Sequence, residues 1–410
     1  MIEVTRNLSQ EEKSVMLVKY IVLPEKSAYS KIFSVKPEPI SSLWSMLHTV
    51  SDFRRAQGKR HDLPVVMTLA ILALCCGHLS YTAMEEWCEN YQEMIKVHIP
   101  FLAGHMPVAS TFHRVFRELD SAAFEEILGA WLQRIVPSEK GEGIGIDGKS
   151  LHGTSFHLVS AFTHAACFVL FQMGTETKGK ELVVGPQVLK YITVRDHVIT
   201  ADALFAQRTF CKLIKTDGGG YVIRVKGNQE TLEKDIRLFF TDPPFGTNIK
   251  SYTTIDRWKG QKEKRVVSVS SDPALISYLN WPGLTHIWQM KKTVTRKGKI
   301  ISDEVSVGIA RLPIEIIGSR EISQAVSEYI RGHWGIEIRL HRTRDNVFNE
   351  DHGTIRCGNG PQVMAAIRNL VISIFHRGTV RSFTSAMRRF AAKPNELFDF
   401  LGLAKQTVIA

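Results

Sequence analysis

The segment GEGIGIDGKSL, residues 141–151, marks the point at which the chain changes from a helical to an alternating pattern. Glycines flank the short β-forming run around Ile144 and Ile146, which predicts a buried strand that ends near Asp147. From there to residue 240, short β-forming runs alternate with segments of helical periodicity. Such alternation is typical of an α/β domain in which helices flank a mixed sheet.

The α/β region contains three more recognisable strand signals. HLVSAFTHAACFVLFQM, residues 157–173, predicts two strands with a turn near His164. DHVITADAL predicts a strand that ends near Asp202, and GYVIRVKGNQ, residues 220–229, predicts another. Helical periodicity separates the last two strands and follows them, so we expect helices to connect the strands of the sheet.

The later part of the chain divides into two regions. Residues 241–318 return to a β pattern, and RKGK at residues 296–299 predicts a hairpin turn. We therefore predict a β-rich insertion between a first part of the α/β core, residues 139–240, and a second part, residues 319–410, that ends in helices.

The earlier part of the chain predicts an irregular start and a helical domain. Residues 1–42 show no regular pattern, whereas residues 43–138 carry apolar residues at helical spacing. Pro64 suits the first turn of an apolar helix, and Ser110 is a candidate N-cap of a later one. The apolar run at residues 63–77 is shorter than the roughly 20 residues that cross a bilayer, so it predicts a buried helix.

The composition favours an anionic partner. The 410 residues include 52 Lys and Arg against 41 Asp and Glu, a formal net charge of +11 with an isoelectric point near 9.3. Such an excess favours nucleic acid, or less often a membrane surface. The six cysteines include no C-x-x-C pair, which argues against a zinc module and indicates a reduced, cytoplasmic protein. The first ten residues lack the apolar core of a secretory signal.

Three acidic residues stand in settings that predict a metal site. Asp147 and Asp202 come at the ends of predicted buried strands, and Glu337 lies in the strongly basic segment RGHWGIEIRLHRTRD, residues 331–345. A carboxylate in a buried strand is costly unless a cation or several donors meet it. Three carboxylates at one edge of a sheet suit Mg²⁺ or Mn²⁺, and a pair of such ions can promote phosphoryl transfer.

Each of these acids also has an ordinary structural explanation. Asp147 begins an Asp-Gly pair, which is common in turns, and Asp202 could cap the helix that follows it. Glu337 could form surface ion pairs on a solvated helix. Asp345 and Glu350 are further candidates for the third acid, although Asp345 lies eight residues beyond Glu337, about 12 Å along a helix.

Five motifs follow one another along the chain: GIDGKSLHG, HLVSAF, ITADALFAQ, YVIRVKGNQ and HWGIEIRLHRTRDNVFNED. In this order they resemble the insertion-sequence transposases of the H-repeat-associated group, which belong to the DDE class. The resemblance extends from about residue 43 to near the C-terminus and includes DFRRAQGKRHDLPVVMTLAILALCCG, residues 52–77. It implies a ribonuclease-H-like α/β catalytic core with a β-rich insertion, and an N-terminal transposase-associated domain that is a candidate for DNA binding.

The resemblance also implies roles for individual residues. Asp147 in DGKSL, Asp202 in ADAL and Glu337 in HWGIE match the catalytic acids of the family, which would hold Mg²⁺ or Mn²⁺, as two ions. The partner would be double-stranded DNA, both the terminal repeats of an element and its target, bound by a homodimer or larger assembly in a bacterial cytoplasm. The predicted DNA contacts are basic or polar residues in and near the motifs and in the N-terminal domain: Arg54, Arg55, Lys59, Arg60, Lys149, Lys226, Asn228, Arg331, His333, Trp334, Arg339, His341 and Arg342.

The function that the resemblance implies is transposition. The protein would cleave the ends of an insertion element and join them to target DNA by two-metal phosphoryl transfer. The motifs depart from the family pattern at His152, Ala201, Ile338 and Arg342 and in the segment DALFAQ that begins at Asp202, but none of these departures removes a carboxylate. Two alternatives stay open: a catalytically degenerate or repurposed DNA-binding protein, and a metal-dependent nuclease without strand transfer.

Overall fold

The computed structural model describes residues 42–99, 104–136, 139–175, 179–378 and 380–403. The segment that is predicted to be irregular, residues 1–42, lies outside the described residues except for Ser42. The chain forms two compact units. The first comprises Glu139–Ile146 and Val194–Ile338, and the second comprises the described residues within Pro37–Ser138, Asp147–Thr193 and Arg339–Ala410. This division runs across the domain boundaries expected from the sequence, which stay a prediction.

Helices predominate in the second unit and strands in the first. The α-helices within the described ranges are α1 (Ser42–Leu47), α2 (Leu63–Cys75), α3 (Tyr81–Asn90), α4 (Gln92–His98), α5 (Ala109–Glu118), α6 (Ser121–Ile135), α7 (Glu181–Val188), α8 (Arg208–Thr216), α9 (Glu230–Thr241), α10 (Pro273–Leu279), α11 (Ile314–Ile317), α12 (Ile322–Gly335), α13 (Arg342–Asn346), α14 (Gly360–Arg377), α15 (Phe383–Ala392) and α16 (Pro394–Leu401). The strands are β1 (Gly143–Ser150), β2 (His157–Thr163), β3 (Val169–Thr175), β4 (Val198–Ala201), β5 (Gly220–Val225), β6 (Lys250–Trp258), β7 (Gln261–Ser270), β8 (His286–Arg296) and β9 (Lys299–Arg311). Short 3₁₀-helices lie at Ala56–Gly58, Leu189–Tyr191, Ala203–Phe205, Gly227–Gln229 and Glu350–His352, and a π-helix lies at Ile336–His341.

The sheet of the first unit combines parallel and antiparallel strands. β1 pairs with β4, and β4 with β5, in parallel, whereas β5 and β9 pair antiparallel. The sheet continues through antiparallel β8, β7 and β6, which gives the order β1-β4-β5-β9-β8-β7-β6. Apolar side chains from the sheet and α12 form its core, among them Val198, Val222, Val267 and Val326. The mixed sheet that the sequence predicts is confirmed.

The predicted β-rich insertion forms an extension of this sheet. Its four strands, β6 to β9, pair in succession as two antiparallel hairpins. Lys297 and Gly298 connect β8 to β9 with φ angles of 48° and 78°, so the predicted turn at RKGK is confirmed. Because β9 also pairs with β5, the insertion shares backbone hydrogen bonds with the core strands.

Long buried helices organise the second unit. Every residue of α2 except Pro64 is buried, as predicted for this apolar run, and Pro64 occupies the first turn. α14 buries 15 of its 18 residues and packs against α2. Antiparallel β2 and β3 belong to the same unit, in the order β3-β2-β1. In the ranges that the structure describes, no helix is long and apolar enough to span a membrane.

Two local predictions are wrong. β1 extends to Ser150, so this strand does not end near Asp147. Ser110 lies inside the first turn of α5, and Val108 occupies the N-cap position. The helical pattern then breaks before α6, where the carboxylate of Asp120 caps the helix by accepting two backbone hydrogen bonds. Apolar periodicity locates a helix but fixes its ends less well, since capping depends on single residues.

Candidate active site

Asp147 and Asp202 each follow directly after the last residue that pairs the parallel strands β1 and β4. In the register of β1 and β4, Ile146 pairs with Ala201. Asp147 and Asp202 are the next residues along the chain in each case. The register therefore ends one residue before each acid.

The ordinary structural explanations for these two aspartates fail. β1 continues through Asp147 and Gly148, so the Asp-Gly pair is part of a strand and does not form a turn. Asp202 is at the N-cap position of the 3₁₀-helix Ala203–Phe205, but its side chain accepts no capping hydrogen bond. A strand-ending turn therefore does not account for Asp147, and helix capping does not account for Asp202.

Asp147 contacts a buried histidine of its own unit. Its Oδ1 accepts a hydrogen bond from the backbone N–H of Gly148 at 2.8 Å. Its Oδ2 lies 3.5 Å from Nδ1 of His341, a residue that is 8% exposed. The sequence predicts His341 as a DNA contact, but a buried imidazole beside a carboxylate is better placed to orient that carboxylate.

Asp202 is exposed and interacts electrostatically with a partly buried histidine. Nδ1 of His333, on α12, lies 3.1 Å from Oγ1 of Thr200. Burial lowers the pKa of His333 to about 4, although the negative charge of Asp202 acts to raise it. The imidazole is consequently neutral at physiological pH, so His333, a predicted DNA contact, does not offer a positive charge to phosphate.

The backbone after Asp202 is held by two side chains from the KGNQ motif. The amide of Asn228 donates a hydrogen bond to the carbonyl oxygen of Ala203 at 2.7 Å. The amide of Gln229 donates to the carbonyl oxygen of Ala206 at 3.0 Å. The sequence predicts Asn228 as a DNA contact, and it offers no signal for Gln229. Both side chains stabilise the 3₁₀-turn that begins at the aspartate, and the DNA contact of Asn228 stays a prediction.

Glu337 lies on the π-helical segment between α12 and α13. It is exposed, whereas its neighbour Ile336 is buried. π-helical turns are rare and occur often at functional sites, whereas the apolar spacing here predicts only a continuous helix. The carboxylate of Glu337 is accessible to a ligand, and the same exposure also fits the alternative of a solvated helix face.

The predicted DNA contacts fall into two groups by exposure. Three are exposed in the N-terminal domain (Arg55, Lys59 and Arg60) and three in the first unit (Lys226, Asn228 and Trp334). The other seven are buried or partly buried: Arg54, Lys149, Arg331, His333, Arg339, His341 and Arg342. By exposure, the three residues in the N-terminal domain and the three in the first unit remain candidates for direct contact with a large ligand.

Several predicted cations are engaged within the protein. The guanidinium of Arg54 forms two hydrogen bonds of 2.9 Å with the carboxylate of Asp52. Nη2 of Arg331 lies 3.2 Å from Oδ1 of Asp256. Arg339 donates a hydrogen bond to a carbonyl oxygen after β2 at 3.3 Å. These contacts order the chain locally, and they reduce the positive charge that is available to DNA.

The two alternative third acids are paired in the second unit. Nζ of Lys149 lies 2.5 Å from Oδ1 of Asp345. Glu350 is buried and forms ion pairs of 2.9 Å with Arg344 and 3.0 Å with Arg368. These contacts give Asp345 and Glu350 structural partners within the second unit.

The ion pairs of Glu350 belong to a buried polar network that the sequence does not reveal. Arg344 also donates to Oε1 of Gln172 at 3.1 Å, and Gln172 donates to Oε1 of Glu125 at 2.8 Å. Burial raises the pKa of Glu125 to about 8, although the hydrogen bond from Gln172 and the charge of Arg344 act to lower it. The members of the network lie on α6, β3, α13, the 3₁₀-helix after it and α14, far apart in sequence.

The raised pKa of Glu125 predicts a pH-dependent stability. The carboxyl group of Glu125 has a higher pKa in the folded state than in the unfolded state. Its contribution to stability is therefore complete below the unfolded pKa and is lost as the pH rises towards about 8. Glu125→Gln keeps a neutral side chain at every pH. Denaturant unfolding should therefore show wild type losing stability relative to Glu125→Gln between about pH 5 and pH 8. The exposed neighbour variant Glu126→Gln should show no such trend, and parallel curves for Glu125→Gln and wild type would contradict the prediction.

The donor set of the three acids fits a divalent cation. Among the residues that the structure describes, no three His, Cys, Asp or Glu side chains are close enough to hold a metal ion. Asp147, Asp202 and Glu337 nevertheless supply only carboxylate oxygens, the ligands that Mg²⁺ and Mn²⁺ prefer.

Two family models match the chain. One, described as DDE_Tnp_1-associated, matches residues 44–132, and the other, the transposase DDE domain, matches residues 108–374. The second match covers more than half of the chain. The chain belongs to the DDE transposase family. This membership confirms the resemblance and, together with the mixed sheet flanked by helices, the predicted ribonuclease-H-like fold class.

Relatives of this DDE family member have similar length. "Putative transposase YncI" of Escherichia coli O157:H7 is 29% identical over 348 residues, which cover 82% of this chain and 87% of the relative. "H repeat-associated putative transposase YhhI" of Escherichia coli strain K12 is 27% identical over 361 residues, covering 85% and 94%. A cryo-EM structure of the piggyBac transposase synaptic complex with hairpin DNA matches with 12% identity and a TM-score of 0.39, over 95% of this chain and 83% of that one. Such a TM-score is too low to add to the description of the fold.

Proposed function

We propose that this DDE family member cleaves the ends of an insertion element and joins them to target DNA, with Asp147, Asp202 and Glu337 as its catalytic acids. The observation that carries the proposal is the register of β1 and β4, which ends at the pair Ile146–Ala201, one residue before each aspartate. The match to the transposase DDE domain, residues 108–374, includes all three acids and supports the same assignment.

The proposed chemistry consists of two displacements at phosphorus. Water attacks a phosphodiester at the element end, which frees the 3′ hydroxyl of the element and leaves a 5′ phosphate on the flanking strand. This 3′ hydroxyl then attacks a phosphodiester of the target DNA, joins its 5′ phosphate and expels a 3′ hydroxyl of the target strand. Two bound Mg²⁺ or Mn²⁺ ions would supply activation of the attacking oxygen and stabilisation of the leaving oxygen. The three acids would hold the ions, His341 would orient Asp147, and Asn228 with Gln229 would fix the turn after Asp202.

The proposed partner is double-stranded DNA. The formal net charge of +11 and the exposed cations Arg55, Lys59 and Arg60 suit a polyanion. These three lie in the segment that the transposase-associated model matches. Joining two element ends to one target requires at least two active sites in one assembly, so we propose a homodimer or larger complex on DNA in the bacterial cytoplasm.

The test is a strand-cleavage and strand-transfer assay with the full-length chain. The substrate is a labelled duplex that carries the terminal repeats of the element, incubated with Mg²⁺ and a target plasmid. We expect nicked ends and joined products with Mg²⁺, and neither product with EDTA, because the reaction needs the metal. Cleavage without joining would support the nuclease alternative. DNA binding without cleavage, in Mg²⁺ and Mn²⁺ alike, would support the degenerate DNA-binding alternative.

A further inference from the structure

The β-rich insertion carries two hairpin turns of the same composition. Lys259-Gly260 connects β6 to β7, and Lys297-Gly298 connects β8 to β9. All four residues have positive φ, at 38°, 74°, 48° and 78° in chain order. Two consecutive residues with positive φ between paired strands are characteristic of a type I′ turn, the tightest hairpin connection.

The strand register brings these two turns together. Trp258 pairs with Gln261, Gln261 with Arg296, and Arg296 with Lys299. The last paired residues of the four strands therefore form one row across the sheet, and both Lys-Gly turns project from it. We call residues 257–262 and 296–299 the hairpin tips.

The hairpin tips concentrate positive charge. They contain six exposed cations and no acidic residue, and the six are Arg257, Lys259, Lys262, Arg296, Lys297 and Lys299. The nearest acids on β6 and β7, Asp256 and Glu263, both form ion pairs with Arg265. The charges of Asp256 and Glu263 are therefore balanced by Arg265 on β7, and these two acids do not neutralise the positive charge of the tips.

The tips also extend far from the core strands. β9 pairs with β5 only from Val307 to Arg311, whereas its pairing with β8 continues to Lys299. Eight residues separate Val307 from Lys299, which corresponds to about 27 Å at about 3.4 Å per residue. A narrow four-stranded arm that ends in cations can reach a partner that the core strands do not touch.

We propose that the hairpin tips bind the phosphate backbone of double-stranded DNA. The proposal rests on the proposed function, which makes a DNA duplex the substrate, and it adds a contact surface on the insertion. Charge complementarity selects this partner. A duplex presents one negative charge per about 1.7 Å of its axis, and the strands that carry the cations of the tips are spaced about 4.8 Å apart. Trp258, whose ring lies 5.9 Å from the ammonium of Lys259, adds an aromatic surface beside the cations.

The test removes charge from the tips without disturbing the turns. Asn-Gly is a preferred sequence of type I′ turns, so the double variant Lys259→Asn with Lys297→Asn loses two charges and keeps both hairpins. The matched control, Lys212→Gln with Lys234→Gln, removes two exposed charges from α8 and α9 of the same unit. Fluorescence anisotropy on a random duplex of about 30 base pairs, without divalent metal, gives Kd over a series of salt concentrations.

We expect the tip variant to bind DNA about tenfold more weakly than wild type at physiological salt. The slope of the logarithm of its association constant against the logarithm of the salt concentration should be less steep by nearly 2, since each lost phosphate contact contributes roughly 0.9. The control should stay within about twofold of wild type, and the melting temperature of the tip variant should not fall. Equal affinities of the tip variant and wild type would overturn the proposal, as would equal losses in the tip variant and the control. Because the assay requires no cleavage, an inactive catalytic site would leave its outcome unchanged.

Discussion

Replacing Glu337 with glutamine is expected to lower metal-dependent DNA cleavage by about 1,000-fold, which corresponds to about 4 kcal/mol of transition-state stabilisation. The change removes one negative charge from the proposed metal site and keeps the size of the side chain. Because Glu337 is exposed, the loss of a surface ion pair would cost at most about 1 kcal/mol of stability. DNA affinity should survive, since none of the cations is altered.

The control for this experiment is Glu328→Gln on the preceding helix. Glu328 is exposed, its carboxylate lies 3.8 Å from the guanidinium of Arg320, and it accepts a hydrogen bond of 2.9 Å from the amide of Gln324, so its loss alters surface contacts of α12. Both variants are assayed with Mg²⁺ on a duplex that carries the element ends. Equal rates for Glu337→Gln and an active wild type would support the solvated-face explanation of Glu337. A larger loss in Asp345→Asn than in Glu337→Gln would transfer the role of third acid to Asp345.

Replacing Glu350 with glutamine is expected to destabilise the protein by about 3–5 kcal/mol, because it leaves buried cations without their counter-charge. Arg344 is fully buried and Arg368 is 4% exposed, and both pair with this one carboxylate. Burial acts to raise the pKa of Glu350, but the charges of the two arginines outweigh it and hold the pKa below its usual range. Its contribution is therefore complete at neutral pH and is lost only as pH falls through that lowered pKa.

Asp351→Asn provides the matched comparison for Glu350→Gln. The side chain of Asp351 is 42% exposed and lies 3.8 Å from Nζ of Lys149, so its charge is largely solvated. Denaturant unfolding at neutral pH should show a change of less than about 1 kcal/mol for Asp351→Asn. Similar small changes in both variants would show that the buried ion pairs contribute little net stability.

The sequence by itself determined the class of the fold and the identity of the candidate acids. Alternating β and helical runs after Gly141 predict the mixed sheet, and the turn at residues 296–299 follows from its Lys-Gly composition. These signals are local, because side-chain periodicity and turn chemistry act within a few residues. The motifs around Asp147, Asp202 and Glu337 identify the same family that the domain models match.

Only the tertiary structure decided what those residues contact. Lys149 appears in the sequence as a free cation two residues after Asp147, yet its partner Asp345 lies 196 residues away. The network from Glu125 through Gln172 to Arg344 likewise joins segments that no local pattern relates. Whether a charge is solvated or paired depends on which distant segment packs beside it, and composition carries no information about that packing. The same holds for the hairpin tips, whose cations form one surface because strand register aligns two separate turns.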